Sequence, residues 1–327
     1  MPAIPIIEAQ PAPPPAPDKP QVLHLTVDAE SAGQRLDNFL IRQLKGVPKT
    51  HVYRIIRSGE VRVNKGRAAA DTRVQAGDEV RVPPVRQAQR TEAPVPPREF
   101  AVLLEDEHLL AIDKPAGVAV HGGSGLAFGV IEQLRRARPD ARLLELVHRL
   151  DRETSGVLLI AKKRSALKHL QEQFRERSTG KTYLALVAGD WPERLKVIDA
   201  PLHKYLQGDG ERRVKVVGKD DPDGMRAVTL VKVRERRGGC SLLEVTIKTG
   251  RTHQIRVHLA AQGHPIAGDD KYGNFDWNRR LQKRGLKRMF LHAWRLQFEH
   301  PASGERIELL SPLPADLPWP SDAFQPA

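Results

Sequence analysis

Four short segments crowd chemically capable side chains between apolar runs. They are H-G-G-S-G at 121–125, H-R-L-D-R-E-T-S-G at 148–156, K-T-Y-L-A-L-V-A-G at 181–189 and G-R-T-H-Q-I-R-V-H at 250–258. Polar positions at the ends of an apolar framework are where binding and catalytic groups usually sit. The first segment has the look of a lipase oxyanion loop, but the chain holds no G-x-S-x-G nucleophile elbow, so a serine hydrolase lacks its nucleophile. Ser124 and Ser155 therefore read as turn residues beside glycines. His253 and His258 are five positions apart, not the four of H-E-x-x-H, and no glutamate follows His253, which argues against a zinc site. Neither a G-x-x-x-x-G-K-[ST] phosphate loop nor a G-x-G-x-x-G turn occurs. The expected chemistry uses no metal and no cofactor.

What remains is a carboxylate among cations. Asp151 stands between Arg149 and Arg152, and Thr154, Ser155 and Gly156 suggest a tight turn into V-L-L-I-A. A carboxylate can attack as a nucleophile or take a proton, and a cationic partner keeps it ionised in a dry pocket. In isolation Asp151 reads as a structural ion pair or turn residue more readily than as a catalytic group.

Those segments need elements to hold them. Residues 99–315 mix candidate strands (H-L-L-A-I-D, V-L-L-I-A, T-Y-L-A-L-V-A, A-V-T-L-V-K-V and L-L-E-V-T-I) with helical patterns at 128–138 and 165–177. The strands outnumber the helices and do not alternate with them, so the expected fold is α+β with a mixed sheet rather than a doubly wound one. Residues 22–84 form a smaller region. One helix there carries Leu36, Phe39, Leu40 and Leu44 on a single face. A second, capped by Thr50 and ended by Gly59, turns Val52, Ile55 and Ile56 inward, and short strands lie around Val61, Val63, Val80 and Val82 on either side of an N-K-G turn. Arg54 and Arg57 then point outward near Lys45 and Lys49, a cluster suited to RNA. Pro-rich stretches at 1–21 and 85–98 read as a disordered tail and a linker, and 316–327 as a trailing tail.

Composition agrees with a polyanionic partner. The 327 residues are 40% hydrophobic, enough for a core, yet carry 53 Lys+Arg against 40 Asp+Glu, a net charge of +13. Nucleic acid is the commonest partner for such a surplus. No apolar run approaches the roughly 20 residues of a membrane span, and no secretion signal is visible at the N-terminus. A lone cysteine, Cys240, can form no internal disulfide; it reads as a buried strand residue in a protein of the reducing cytoplasm.

H-R-L-D-R-E-T-S-G resembles the catalytic motif of the RluA-type pseudouridine synthases, K-T-Y-L-A-L-V-A-G their tyrosine motif and G-R-T-H-Q-I-R-V-H their third, arginine-bearing motif. The small region, with G-Q-R-L-D-N-F-L, resembles an S4 RNA-binding domain. L-K-G-V-P-K, Y-R-I-I-R-S-G-E-V-R-V-N-K and V-H-G-G-S-G resemble a branch acting on large-subunit (23S) ribosomal RNA; Glu153 departs from the aspartate frequent at its position. The resemblance implies a largely antiparallel catalytic sheet behind an S4-like α/β domain. It implies that uridine is isomerised to pseudouridine with Asp151 as the catalytic carboxylate, attacking C1′ or deprotonating C2′. It makes Arg251 the cation beside Asp151, Tyr183 the ring that stacks on the base, and Ile255 an apolar lining. Arg149 would help displace the flipped nucleotide, with His148 and Thr154 also at the substrate. Lys271, Tyr272, Arg279, Arg280 and Lys283 are further candidate RNA contacts, and a monomer is expected. The alternative from another class is a non-catalytic S4-type RNA-binding or ribosome-associated protein; keeping Asp151, Tyr183 and Arg251 together argues for the enzyme.

Overall fold

The computed structural model describes residues 21–29, 31–44, 46–85, 95–123, 128–208 and 211–317. Residues 1–20, 318–327, Ser124 and most of the expected linker lie outside these residues; Asp316 and Leu317, expected in the trailing tail, are instead held, Asp316 by Arg288 and Leu317 by burial beside Trp277 and Leu281. The chain forms two compact units, Met1–Glu92 and Ala93–Ala327.

The first unit comprises β1 (Leu23–Thr26), α1 (Leu36–Gln43), α2 (Lys49–Arg57), β2 (Arg62–Val63), β3 (Gly66–Arg67) and β4 (Glu79–Val82), with an antiparallel sheet in the order β1-β4-β2-β3. Leu36, Phe39 and Leu40 of α1 and Val52, Ile55 and Ile56 of α2 share one core with Val61, Val80 and Val82. The two helices are also tied by a polar knot. The buried Asp37 carboxylate takes two bonds from Arg35 and one from the Tyr53 hydroxyl at 3.1 Å. Thr50 does not cap α2: the helix begins one residue earlier, behind Pro48, whose ring presets φ at −57°. Asn64 and Lys65 both adopt left-handed φ (49° and 68°), the geometry that matches a tight turn to the twist of β2 and β3.

The second unit runs β5 (Val102–Glu105), β6 (Leu109–Lys114), α3 (Val130–Ala137), β7 (Glu145–Leu146), β8 (Ser155–Ala161), α4 (Arg164–Glu176), β9 (Gly180–Ala188), β10 (Val197–Asp199), β11 (Leu202–Leu206), β12 (Arg212–Val216), β13 (Val228–Arg237), β14 (Cys240–Ile247), α5 (Gln254–Ala261), α6 (Phe275–Lys283), β15 (Leu291–Glu299) and β16 (Arg306–Leu310). Its main sheet is ordered β10-β13-β14-β9-β15-β8-β6-β5, with β16 on β15 and β7 on β8; β11 and β12 form a separate hairpin. The fold is α+β, and the sheet is antiparallel except where β8 meets β15. Every residue of β8 is buried, because separate apolar clusters cover its two faces. That central strand explains the unbroken apolar run V-L-L-I-A. Cys240 is buried in β14, as expected.

The β8–β15 contact needs a glycine. Gly156 has φ 110°, and a Cβ there would lie 2.2 Å from the Ala293 carbonyl oxygen. The close approach carries the start of β8, and hence the loop before it, against the middle of the sheet.

Candidate active site

Asp151 sits in the loop between β7 and β8. The backbone N–H of Thr154 donates to the Asp151 carbonyl at 3.1 Å, closing the turn. From beneath, Lys114, fully buried at the end of β6, spends its ammonium on three carbonyls: Pro115 at 2.7 Å, Val118 at 2.9 Å and Arg152 at 3.2 Å. Arg152 also donates to the Gly117 carbonyl at 3.0 Å. Ser155, expected as a turn residue, is instead the first residue of β8, its hydroxyl set between His292 (2.9 Å) and Arg288 (3.1 Å). A loop pinned at so many points holds its carboxylate in one place.

The carboxylate faces a cavity of about 530 Å³ lined by Asp151, Tyr183, Arg251, His253, Ile255 and Arg256, with His148, Arg149 and Thr154 along its wall. The structure thus brings all the expected catalytic and substrate-facing residues to one cavity. Thr154 and Ile255 are buried, whereas Arg149 is exposed. His148 stacks on Phe174 at 4.7 Å and accepts a hydrogen bond from the Leu159 backbone N–H. Burial, and after it the charge of Lys181, hold its imidazole down at about 3. Tyr183, half-buried on β9, has its phenol pushed up by burial first and then by the charge of Asp151, so it stays a neutral O–H.

The cation beside the carboxylate corrects the expectation. Arg251 lies on the loop before α5, where its Nε donates to the Arg226 carbonyl at 3.2 Å. Among the described residues, the side-chain cations within 4 Å of the Asp151 carboxylate are Arg256, at 3.6 Å, and His253, at 3.9 Å if protonated. The reason is where the helix starts. Position 251 precedes α5, whereas 256 falls on its first turn, and the helix carries that turn inward. Gln254 sets the start: its Oε1 accepts from Thr249 Oγ1 at 2.7 Å and from the Arg251 N–H at 3.1 Å, while its Nε2 donates to the Val228 carbonyl at 3.0 Å. Arg256 is in turn fixed by Asp269, through Nε at 2.8 Å and Nη2 at 2.7 Å. Burial alone would raise the Asp269 carboxyl, but the Arg256 hydrogen bonds and charge outweigh it and hold the group low.

Arg256 and Asp269 were missed in the sequence. A signal existed: once G-R-T-H-Q-I-R-V-H is read as loop then helix, His253 and Arg256 are three apart on one side. His258 is no ligand, since its Nδ1 meets Thr229 Oγ1 at 2.8 Å and its Nε2 the Ala200 carbonyl at 2.9 Å. Among the described residues, one group of ligand-type side chains clusters within 4.8 Å: His203, Asp221 and Asp223. It shares no residue with the cavity.

The expected RNA contacts divide. Lys49, Arg54 and Arg57 are exposed on α2; Lys45 lies outside the described residues. Lys271 is held by Glu211 at 2.5 Å, and Tyr272 is turned inward to His253. Arg279 pairs with Asp276 on α6, while Arg280 and Lys283 are exposed there, opposite the buried Trp277 and Leu281.

A model of the RNA pseudouridylate synthase family matches residues 108–261, and one of the S4 domain matches residues 34–80. The chain is 53% identical over 307 residues to the ribosomal large subunit pseudouridine synthase C of Yersinia pestis, covering 92% of this chain and 95% of that protein. It is 52% identical over 309 residues to the protein of the same name from Escherichia coli (strain K12), covering 92% and 96%. Among solved structures, Human RNA Pseudouridylate Synthase Domain Containing 4 matches with a TM-score of 0.54 at 28% identity, over 66% of this chain and 90% of that one.

Proposed function

This chain belongs to the RNA pseudouridylate synthase family and isomerises uridine to pseudouridine in RNA; we propose that its substrate is large-subunit (23S) ribosomal RNA and that Asp151 is the carboxylate that does the chemistry. The observation that carries the reading is a carboxylate in a nucleotide-sized cavity, approached on one oxygen by the buried guanidinium of Arg256.

The reaction breaks the N1–C1′ bond, turns the base and joins C5 to C1′; N1 gains a proton and C5 loses one, so nothing is oxidised and no cofactor is required. A carboxylate serves either route, attacking C1′ or removing the C2′ proton. Tyr183 offers its ring to the turning base. Its phenol is too weak an acid to act as a phenolate while Asp151 is charged, so it can take the C5 proton only by handing its own on. The nucleotide must leave its stack, at a cost of a few kcal/mol. Phosphate contacts offset that cost, with exposed Lys49, Arg54 and Arg57 on the S4 unit and Arg149 at the cavity as the candidates. A ribosomal RNA substrate and a single cysteine suit the reducing cytoplasm, where we expect the enzyme to act as a monomer.

The test is a map of pseudouridines in 23S ribosomal RNA from a strain lacking the gene, complemented with the parent or with Asp151→Asn. Specific sites should vanish on deletion and return with the parent alone. A map unchanged by deletion would overturn the substrate, and sites restored by Asp151→Asn would overturn the role of the carboxylate.

A further inference from the structure

His253, beside Asp151, and Tyr272, behind His253, have no part in the mechanism so far. His253 precedes α5 with a left-handed backbone, φ 53°, a region uncommon for residues other than glycine but one that histidine visits more readily than most. The bend aims the imidazole across the cavity, with Nε2 3.9 Å from Oδ2 of Asp151. Arg256 addresses the same oxygen. Both approach Oδ2 at more than hydrogen-bond distance, and neither is drawn to Oδ1. The other ring nitrogen, Nδ1 of His253, lies 2.8 Å from the hydroxyl of Tyr272.

The neighbours decide where the protons sit. A tyrosine hydroxyl has a single hydrogen to give. The backbone N–H of Val214, on β12, already donates to the Tyr272 oxygen at 3.1 Å, and among the described residues the acceptor within reach of the hydroxyl hydrogen is Nδ1 of His253, so the hydroxyl is satisfied when it donates there. An imidazole that accepts at Nδ1 carries its remaining hydrogen on Nε2, the nitrogen that faces Asp151. The charged groups around the ring are Asp151 from the loop before β8, Arg256 from α5, and Lys271 and Asp269 from the segment before α6. Burial first, then Arg256 and Lys271 against the pull of Asp151 and Asp269, keep the imidazole below its ordinary value and so neutral.

We propose that Tyr272 and His253 form a relay that fixes the Nε2–H tautomer and presents it to Oδ2 of Asp151, so that Oδ2 is the anchored oxygen and Oδ1 the one that meets the ribose. Both are positioning residues, acting through the carboxylate. At 3.9 Å the contact is longer than a hydrogen bond, and the relay requires it to close when the nucleotide binds. Because Val214 supplies the bond that orients Tyr272, the β11–β12 hairpin becomes part of the device. The inference rests on the reading of Asp151 given above.

The test has a spectroscopic arm and a kinetic one. In protein labelled with ¹⁵N-histidine, the His253 nitrogens should show the Nε2–H tautomer, and Tyr272→Phe should mix the two tautomers. In single-turnover assays, His253→Leu should slow the chemical step roughly 10- to 100-fold, the worth of a hydrogen bond to a charged group, while RNA affinity holds within about twofold. Its rate–pH profile should also move, whereas a merely structural loss would lower the profile without shifting it. His253→Gln places an N–H near the Nε2 position and should recover most of the rate. An Nδ1–H tautomer in the parent, a Leu variant as fast as the parent, or a Gln variant no better than Leu would each overturn the relay. If His253→Leu fails to fold, the tautomer and the Gln variant still decide. Failure of the underlying reading looks different, since Asp151→Asn would then be active.

Discussion

Arg256 meets Asp151 with the one edge of its guanidinium that Asp269 leaves open: Nε and Nη2 are bound to Asp269 at 2.8 and 2.7 Å, and Nη1 stands 3.6 Å from Oδ2 of Asp151. The cation is thus held in orientation by a second carboxylate before substrate arrives. A planar fork allows this division and a lysine ammonium does not.

The first prediction separates the two arginines. Asp151→Asn should be inactive with RNA binding largely intact. Arg256→Lys keeps a charge but loses the fork, and its chemical step should slow by about 100-fold or more, as when a preorganised donor is removed. Arg251→Met should stay within about tenfold in rate and act mainly on RNA affinity. Arg256→Met strands the buried Asp269 and should also destabilise by about 3–5 kcal/mol, so thermal melts must accompany it. Single-turnover rates on a ribosomal RNA fragment decide the matter; equal losses at 251 and 256 would return Arg251 to the carboxylate.

The second prediction concerns Tyr183. Tyr183→Phe keeps the ring and removes the hydroxyl. If the phenol relays the C5 proton, the chemical step should fall by about 100-fold, the lower end for general acid–base catalysis, with affinity unchanged. A Phe variant that turns over like the parent would leave Tyr183 only its stacking role.

His148 makes stability depend on acid. Its folded value, about 3, lies below the ordinary 6.5, so between these limits the unfolded chain binds the extra proton. The contribution is therefore complete above about pH 6.5 and is lost as pH falls toward 3, on the order of 1–2 kcal/mol by pH 5. Protonation would also take Nε2 away from the Leu159 N–H. His148→Gln can accept the same N–H through Oε1 without titrating, and its urea-melt stability should differ less between pH 7 and pH 5 than the parent's. An equal drop would assign the acid sensitivity to other groups.

Gly156 gives the fourth prediction. Gly156→Ala places a methyl 2.2 Å from the Ala293 carbonyl at φ 110°, and should cost about 3 kcal/mol or more from strain and overpacking together. Activity should fall with it, because the β8–β15 contact sets the end of the Asp151 loop. Urea denaturation and turnover measured together would show both; a variant as stable as the parent would mean the strands part without cost.

Five strands were legible because their runs are apolar, and β8, β9 and β14 fall where V-L-L-I-A, T-Y-L-A-L-V-A and L-L-E-V-T-I place them; β15 and β16 were not, because L-H-A-W-R-L-Q-F-E and R-I-E-L-L are interrupted by polar and charged residues. Asp151 was legible through its cationic neighbours and the motif around it. Arg256 was not, because its meaning depends on a helix start set by the side chain of Gln254 rather than by a Ser, Thr, Asp or Asn cap. Nor was the partnership of His253 with Tyr272, 19 positions apart, or the clamp of Lys114 on Arg152, 38 apart. Contacts of that separation leave no periodicity in a sequence. The hairpin of β11 and β12 was overlooked because its polar, basic strands lack the alternation that marks a half-buried sheet.

The order of the sheet bears on how this chain is made. β8, which follows Asp151, and β9, which carries Tyr183, are not neighbours; β15, synthesised more than a hundred residues later, slots between them. A ribosome that has finished Asp151, Tyr183 and Arg256 has therefore made the groups we propose for the chemistry but not the strand that lies between β8 and β9. Such long-range closure is slow and comes late. The nascent polypeptide, emerging beside the very class of RNA we propose it modifies, should then stay inactive until its last strands are released. The enzyme would switch on at the end of its own translation.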